Sequence, residues 1–179
     1  MTLEKDQGNY EMLFFGTGDR ENPKDTTFVN KLYAVKDQNV PTTLTESELV
    51  DVTEDLLQDP NATTAQKEGL RGLLRERAGW YITLNENVGE KCLAAAVAFA
   101  GAVYYTTFTP TIDTTSDICS IGDGVARVYI LDFKTGTAVF NLDATNDLEG
   151  SSVISRSDRS MAIGAGIPSG VIFAVTRGG

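Results

Sequence analysis

"MLFFGTGDRENPKDTTFVNKLYAVKD", Met12–Asp37, decides how this chain is read. An aromatic-rich run from Tyr10 to Phe15 ends at Gly16, a polar loop follows, and Lys31–Asp37 resumes with residues typical of sheet positions. Pro23 rules out a helix through the middle of the loop. A dinucleotide fingerprint needs Gly-x-Gly-x-x-Gly between a strand and a helix, but Glu21 stands where the third Gly belongs. A P-loop needs Gly-Lys-Ser/Thr, which does not follow. A calcium loop comes closer, with Asp19, Glu21 and Asp25 at the first, third and seventh places. Yet Pro23 occupies the fifth place, Lys24 the sixth where Gly is needed, and Asn30 replaces the bidentate Glu at the twelfth. The favoured reading is a tight bend released by Gly16 and Gly18, with the acids facing water. Asp19, Glu21 and Asp25 remain only weak metal candidates.

The same plan recurs. "VYYTTFTP" at 103–110 and "RVYILDF" at 127–133 repeat the strand, polar bend, loop, basic residue and apolar–Tyr–apolar strand. "MAIGAG" at 161–166 and "GVIFAV" at 170–175 form a third, shortened copy. Repeated strand–loop–strand units point to propeller blades rather than a sandwich. A propeller needs at least four blades of four strands, at roughly 40–50 residues each. The 179 residues fall short of that, so the expected fold is mainly β: a partial, modified β-propeller.

A helical insertion is expected at about residues 45–78. "TESELVDVTEDLLQ" opens with a capping-box pattern, Thr45 with Glu48, and carries Leu49, Val52 and Leu56 at helical spacing. Its Val50-Asp51-Val52-Thr53 alternation reads equally well as a strand. "TAQKEGLRGLLRERAGW" repeats the pattern with Thr63 and Gln66, and places Leu70, Leu73, Leu74 and Ala78 on one face. Beyond Gly79, "GWYITL" is strand-like and "NENVGEK" is a turn. "CLAAAVAFAGAVYY", 92–105, is too short for a bilayer, which needs about 20 residues, and reads as two strands joined near Ala100-Gly101. Lys134-Thr135-Gly136 should join two alternating strands in "ARVYILDFKTGTAVFNL".

Composition narrows the function classes. The 41% hydrophobic content supports a sizeable core, and the length suits one domain or a large part of one. A net charge of -10 argues against nucleic acid or anionic membrane as partners. The chain has no histidine, which removes the commonest general base and every Ser-His or Cys-His nucleophile. Two cysteines, Cys92 and Cys119, cannot form a four-ligand zinc site unaided. They are free thiols or one disulfide. Met1–Met12 has no apolar core behind a basic start and does not read as a signal peptide. Asp123, Asp143, Asn146, Asp147 and Glu149 could collect a cation, but Asp and Asn are ordinary turn residues, and turns are the favoured reading. Trp80 and the tyrosine pairs are expected in the core.

"FFGTGDRENPKDTTFVNKLYAVKD", "LVDVTEDLL", "GWYITLNENVGEKCLAAAVAFAGAVYYTTFTP", "ARVYILDFKTGTAVFN" and "GAGIPSG", in this order, resemble the C-terminal domain of the PilY family of type IV pilus tip-associated adhesins. The resemblance runs from about Leu13 to Val175. It implies a modified β-propeller spanning residues 1–179, displayed outside the cell at the pilus tip or outer-membrane surface. It also implies non-enzymatic roles in pilus assembly, retraction control and attachment. The implied partners are the remaining propeller strands or N-terminal region of the adhesin, on the same or a separate chain, together with minor pilins and a surface or host receptor. The family's calcium loop lies ahead of the matched part, and no loop here carries it over, so no cofactor is assigned. The family's signal peptide, large N-terminal region and von Willebrand A-like domain are not read in these residues. "VYILDFKTGTAVF" also resembles the Asp-x-x-Thr-Gly hairpin of quinoprotein dehydrogenase propellers, an enzyme alternative. Only one such hairpin, one tryptophan and no adjacent cysteine pair are present to support it. A purely structural subunit of an extracellular filament is a third reading.

Overall fold

Met12–Asp37 folds as a hairpin in the computed structural model, which describes residues 2–4, 8–39, 41, 43–111, 124–147 and 152–174. Strand β2 (Gly8–Gly16) pairs antiparallel with β3 (Lys31–Asp37) in unbroken register from Glu11↔Asp37 to Gly16↔Leu32. With β1 (Thr2–Glu4), β4 (Val50–Asp51) and β5 (Gly79–Thr83) they form a sheet in the order β1-β2-β3-β5-β4. Side-chain alternation is regular here: Leu32, Ala34, Trp80 and Ile82 face the core, while Phe15, Tyr33 and Tyr81 align on the other face.

The second copy of the repeat is also a hairpin. β8 (Ala102–Pro110) pairs with β9 (Gly124–Asp132) over its full length. β10 (Ser160–Ala165) lies on the far side of β9, while β6 (Lys91–Cys92) and β7 (Val97–Phe99) share the near side of β8. Ala100 and Gly101, both at positive φ, make the two-residue turn between β7 and β8 at the expected place. The structure is 35% strand and 16% helix, and the described residues form two sheets, neither closed into a barrel. The mainly β expectation holds at that level. Val50, Val52, Trp80 and Ile82 of one sheet pack against Cys92, Val103, Tyr105, Tyr129 and Leu131 of the other, with Leu74 of the helix completing the cluster.

Three expectations change. In the insertion, α1 (Thr64–Glu76) forms with Thr63 as N-cap and the Thr63/Gln66 box intact, but Leu73 is exposed and Leu74 is the residue it buries. The Thr45/Glu48 box holds only a single 3-10 turn, Glu46–Glu48, before the chain becomes β4. Val50 and Val52 are buried, so tertiary packing of β-branched residues overrides the helical spacing. The turn after β9 forms, with Gly136 at φ 68, but its return arm makes only one bridge, Leu131↔Ala138. Gln58 takes over the remaining pairing: its side-chain amide donates to Ala138 O at 3.0 Å and accepts from Ala138 N at 2.9 Å. In the third repeat copy only β10 is a strand. Residues 167–174 instead run over the second sheet, where Phe173 stacks on Phe99 at 4.7 Å and Thr106 Oγ1 donates to Ser169 O.

Candidate binding surface

The acidic loop between β2 and β3 is organised around a cation the protein itself supplies. Lys91, 2% exposed, donates from Nζ to Asp25 O at 2.5 Å and reaches Asn22 O at 3.4 Å. The carboxylates sit outside this centre. Asp19 accepts from Glu21 N, Asn22 N and Asn22 Nδ2, and Asp25 accepts from Thr27 N. These bonds hold both carboxyls below the usual range, the Asn22 side chain acting most on Asp19 and the Thr27 side chain on Asp25. Glu21 takes part only through its backbone N–H, and its side chain is exposed. Among the described residues no group of three Cys, Asp or Glu side chains is arranged to hold a metal ion.

Gly16 and Gly18 serve closeness rather than an unusual φ. A Cβ on Gly16 would lie 2.3 Å from Cys92 Cβ, and one on Gly18 would lie 2.7 Å from Cys92 O. Neither glycine has positive φ, and the bends and turn of the loop fall beyond them, at 20–21, 23–24 and 27–28. Cys92 N donates to Thr17 O, Thr17 and Lys31 exchange bonds, and Asn30 Nδ2 donates to Glu90 O. Cys92 is a buried free thiol whose pKa is raised by burial; Cys119 lies outside the described residues.

Two further buried polar centres join the sheets. Glu90 accepts from Thr107 Oγ1 at 2.6 Å, Tyr129 OH at 3.0 Å and Asn87 Nδ2 at 2.8 Å. Arg159 donates to Val52 O and Thr53 O at 2.8 and 2.9 Å, and its Nε lies 3.3 Å from Asp55 Oδ2. Sequence reasoning assigned no role to Glu90, Lys91 or Arg159; the only trace of the first two was the Gly-Glu-Lys triplet in the family-like segment. The Asp143–Asp147 acids serve turns: Asp143 caps the 3-10 turn Ala144–Asn146, and Asp147 accepts from Asn141 and Val153 N. Asp123 and Glu149 lie outside the described residues.

The outer surfaces carry the candidate contacts. On the first sheet Phe15 stacks on Tyr33 at 5.0 Å, and Tyr33 leans on Tyr81 at 6.0 Å, an aromatic row across three strands. Phe15 is 44% exposed. Glu46 flanks the row, accepting from Tyr33 OH at 2.6 Å and from Lys31 Nζ. Trp80, Tyr105 and Tyr129 are core residues, whereas Tyr33 and Tyr81 belong to this face. On the second sheet β10 is the edge strand, with Met161 and Ile163 exposed. Its register shifts between Ala162 and Gly164, which leaves Ile163 without a cross-strand partner. Among the described residues no helix is long and apolar enough to cross a membrane. Comparison with family models, curated proteins and solved structures found no match to this chain.

Proposed function

We propose that this chain is the C-terminal part of a PilY-like adhesin of the type IV pilus tip, working by binding outside the cell. In this reading its two sheets are blades of a modified propeller, and further strands of the adhesin pair with its open edges. The observation that carries the reading is the edge at β10, where Met161 and Ile163 are exposed beside backbone that no described strand pairs. Such an edge is a template for another strand. The strand plan fits as well: β7, β8, β9 and β10 run as an antiparallel meander, the arrangement of a blade. The aromatic row on the first sheet then supplies a contact face for a receptor or a pilus subunit.

Co-expression of the chain with the N-terminal region of a PilY-like adhesin tests the reading. A stable complex is expected, and Ile163→Lys should abolish it while leaving the chain's circular dichroism unchanged. Phe15→Ala should leave the complex intact and weaken attachment of piliated cells to a surface. A chain that stays monomeric, melts cooperatively and ignores the adhesin region would overturn the proposal.

A further inference from the structure

A second surface has a different chemistry. Tyr10 and Met12 of β2, Lys36 of β3, Arg71, Leu74 and Arg75 of α1, and Lys134 with Thr135 of the turn after β9 enclose a cleft of about 210 Å³. Its floor is apolar, made by Tyr10, Met12 and Leu74. Among the described residues its charged lining is cationic, Lys36, Arg71, Arg75 and Lys134, in a chain of net charge -10.

The cations are not equivalent. Lys36 is a structural residue, donating to Leu74 O at 2.8 Å and Arg75 O at 3.0 Å and so closing the C-terminal end of α1. Arg71 and Arg75 stand one helical turn apart on the rim, exposed, and neither guanidinium forms a hydrogen bond or ion pair with the described residues. Like charges at this spacing repel, so the arrangement costs the isolated helix stability. A ligand carrying carboxylates would relieve that cost. Guanidinium forks suit carboxylates in particular, because both are planar and pair through two bonds.

We propose that this cleft binds an acidic peptide segment of a partner protein. An apolar side chain of the peptide sits on Tyr10, Met12 and Leu74, and flanking carboxylates pair with Arg71 and Arg75. A nucleic acid fits less well: it would meet repulsion from the acidic remainder of the surface, and the apolar floor would be left without an occupant. The inference stands whether or not the chain belongs to a pilus adhesin.

Fluorescence anisotropy with the full chain and a labelled peptide of one Leu flanked by Glu and Asp tests the proposal. Arg71→Gln/Arg75→Gln should weaken binding by about tenfold or more, and added salt should weaken it further. Replacing the peptide's Leu with Ser, or its acids with Gln and Asn, should each lower affinity. Melting of the double variant at the wild-type temperature verifies that the fold is intact, and Lys134→Gln supplies an independent reading of the same rim. Equal affinity for wild type and variants, equal affinity for the neutral peptide, or binding of a labelled oligonucleotide in place of the peptide would each overturn it.

Discussion

Two loops of the first sheet are gripped by cations of the second, and they are gripped differently. The loop between β2 and β3 closes on the Lys91 ammonium through backbone carbonyls, with its carboxylates outside, bound to their own loop. The turn at 52–55 closes on the Arg159 guanidinium through two carbonyls and also buries a carboxylate, Asp55, which is 2% exposed. Neither oxygen of Asp55 has a well-aligned hydrogen bond. A lysine from another strand can thus satisfy the backbone carbonyls of an acidic loop. A buried carboxylate, by contrast, commits the fold to its partner.

The largest effect is expected at the second grip. Arg159→Leu strands Asp55 and should cost about 3–5 kcal/mol in denaturant unfolding at neutral pH. A loss under about 1 kcal/mol would show that Asp55 is not held by Arg159. Adding Asp55→Asn to that variant should recover part of the loss, and the double-mutant cycle measures the coupling. Lys91→Met comes next: it leaves the Asn22 and Asp25 carbonyls without their donor and should cost about 2–3 kcal/mol. If calcium then stabilised the variant but not the wild type, the loop would be a cation site that Lys91 fills. Gly16→Ala is expected to cost about 1–3 kcal/mol, because its Cβ overlaps that of Cys92.

The smallest effect concerns pH, and the two grips differ in sign. Burial raises the Asp55 carboxyl despite Arg159, so its folded pKa lies above the unfolded one. Its contribution is fully present below the unfolded value, about 3.9, and is lost as pH rises through the folded value. Asp19 and Asp25 are depressed, so theirs is present above about 3.9 and lost as pH falls through the folded values. Carboxyl NMR titration should place Asp55 above the ordinary aspartate value and the other two below it. Asp55→Asn should remove the first transition alone.

Elements whose signal is local were legible. The alternation of β2, β3 and β5, the turn at Ala100-Gly101 and the Thr63/Gln66 cap each depend on neighbours in sequence, and each forms where expected. The first two repeat copies form hairpins for the same reason. Elements decided by distant partners were not legible. At 45–58 the sequence offered both a helix and, over Val50–Thr53, a strand, and the burial of Val50 and Val52 selected the strand; the arm after Gly136 paired with Gln58, 80 residues away, instead of extending the hairpin. At the candidate site Asp19, Glu21 and Asp25 stood out because of their composition, while Lys91, which organises their loop, lies 66 residues beyond Asp25.

The sequence by itself determined a mainly β chain, the capped helix after Thr63, no histidine chemistry and an acidic net charge, because these follow from residue identity and short-range periodicity; the second helix it suggested, after Thr45, did not form. Only the tertiary structure decided that Gly16 and Gly18 make room for Cys92, that lysine occupies the acidic loop, and that four cations gather around one apolar cleft. Each of those depends on which segments meet across the two sheets, and sequence spacing carries no record of that meeting.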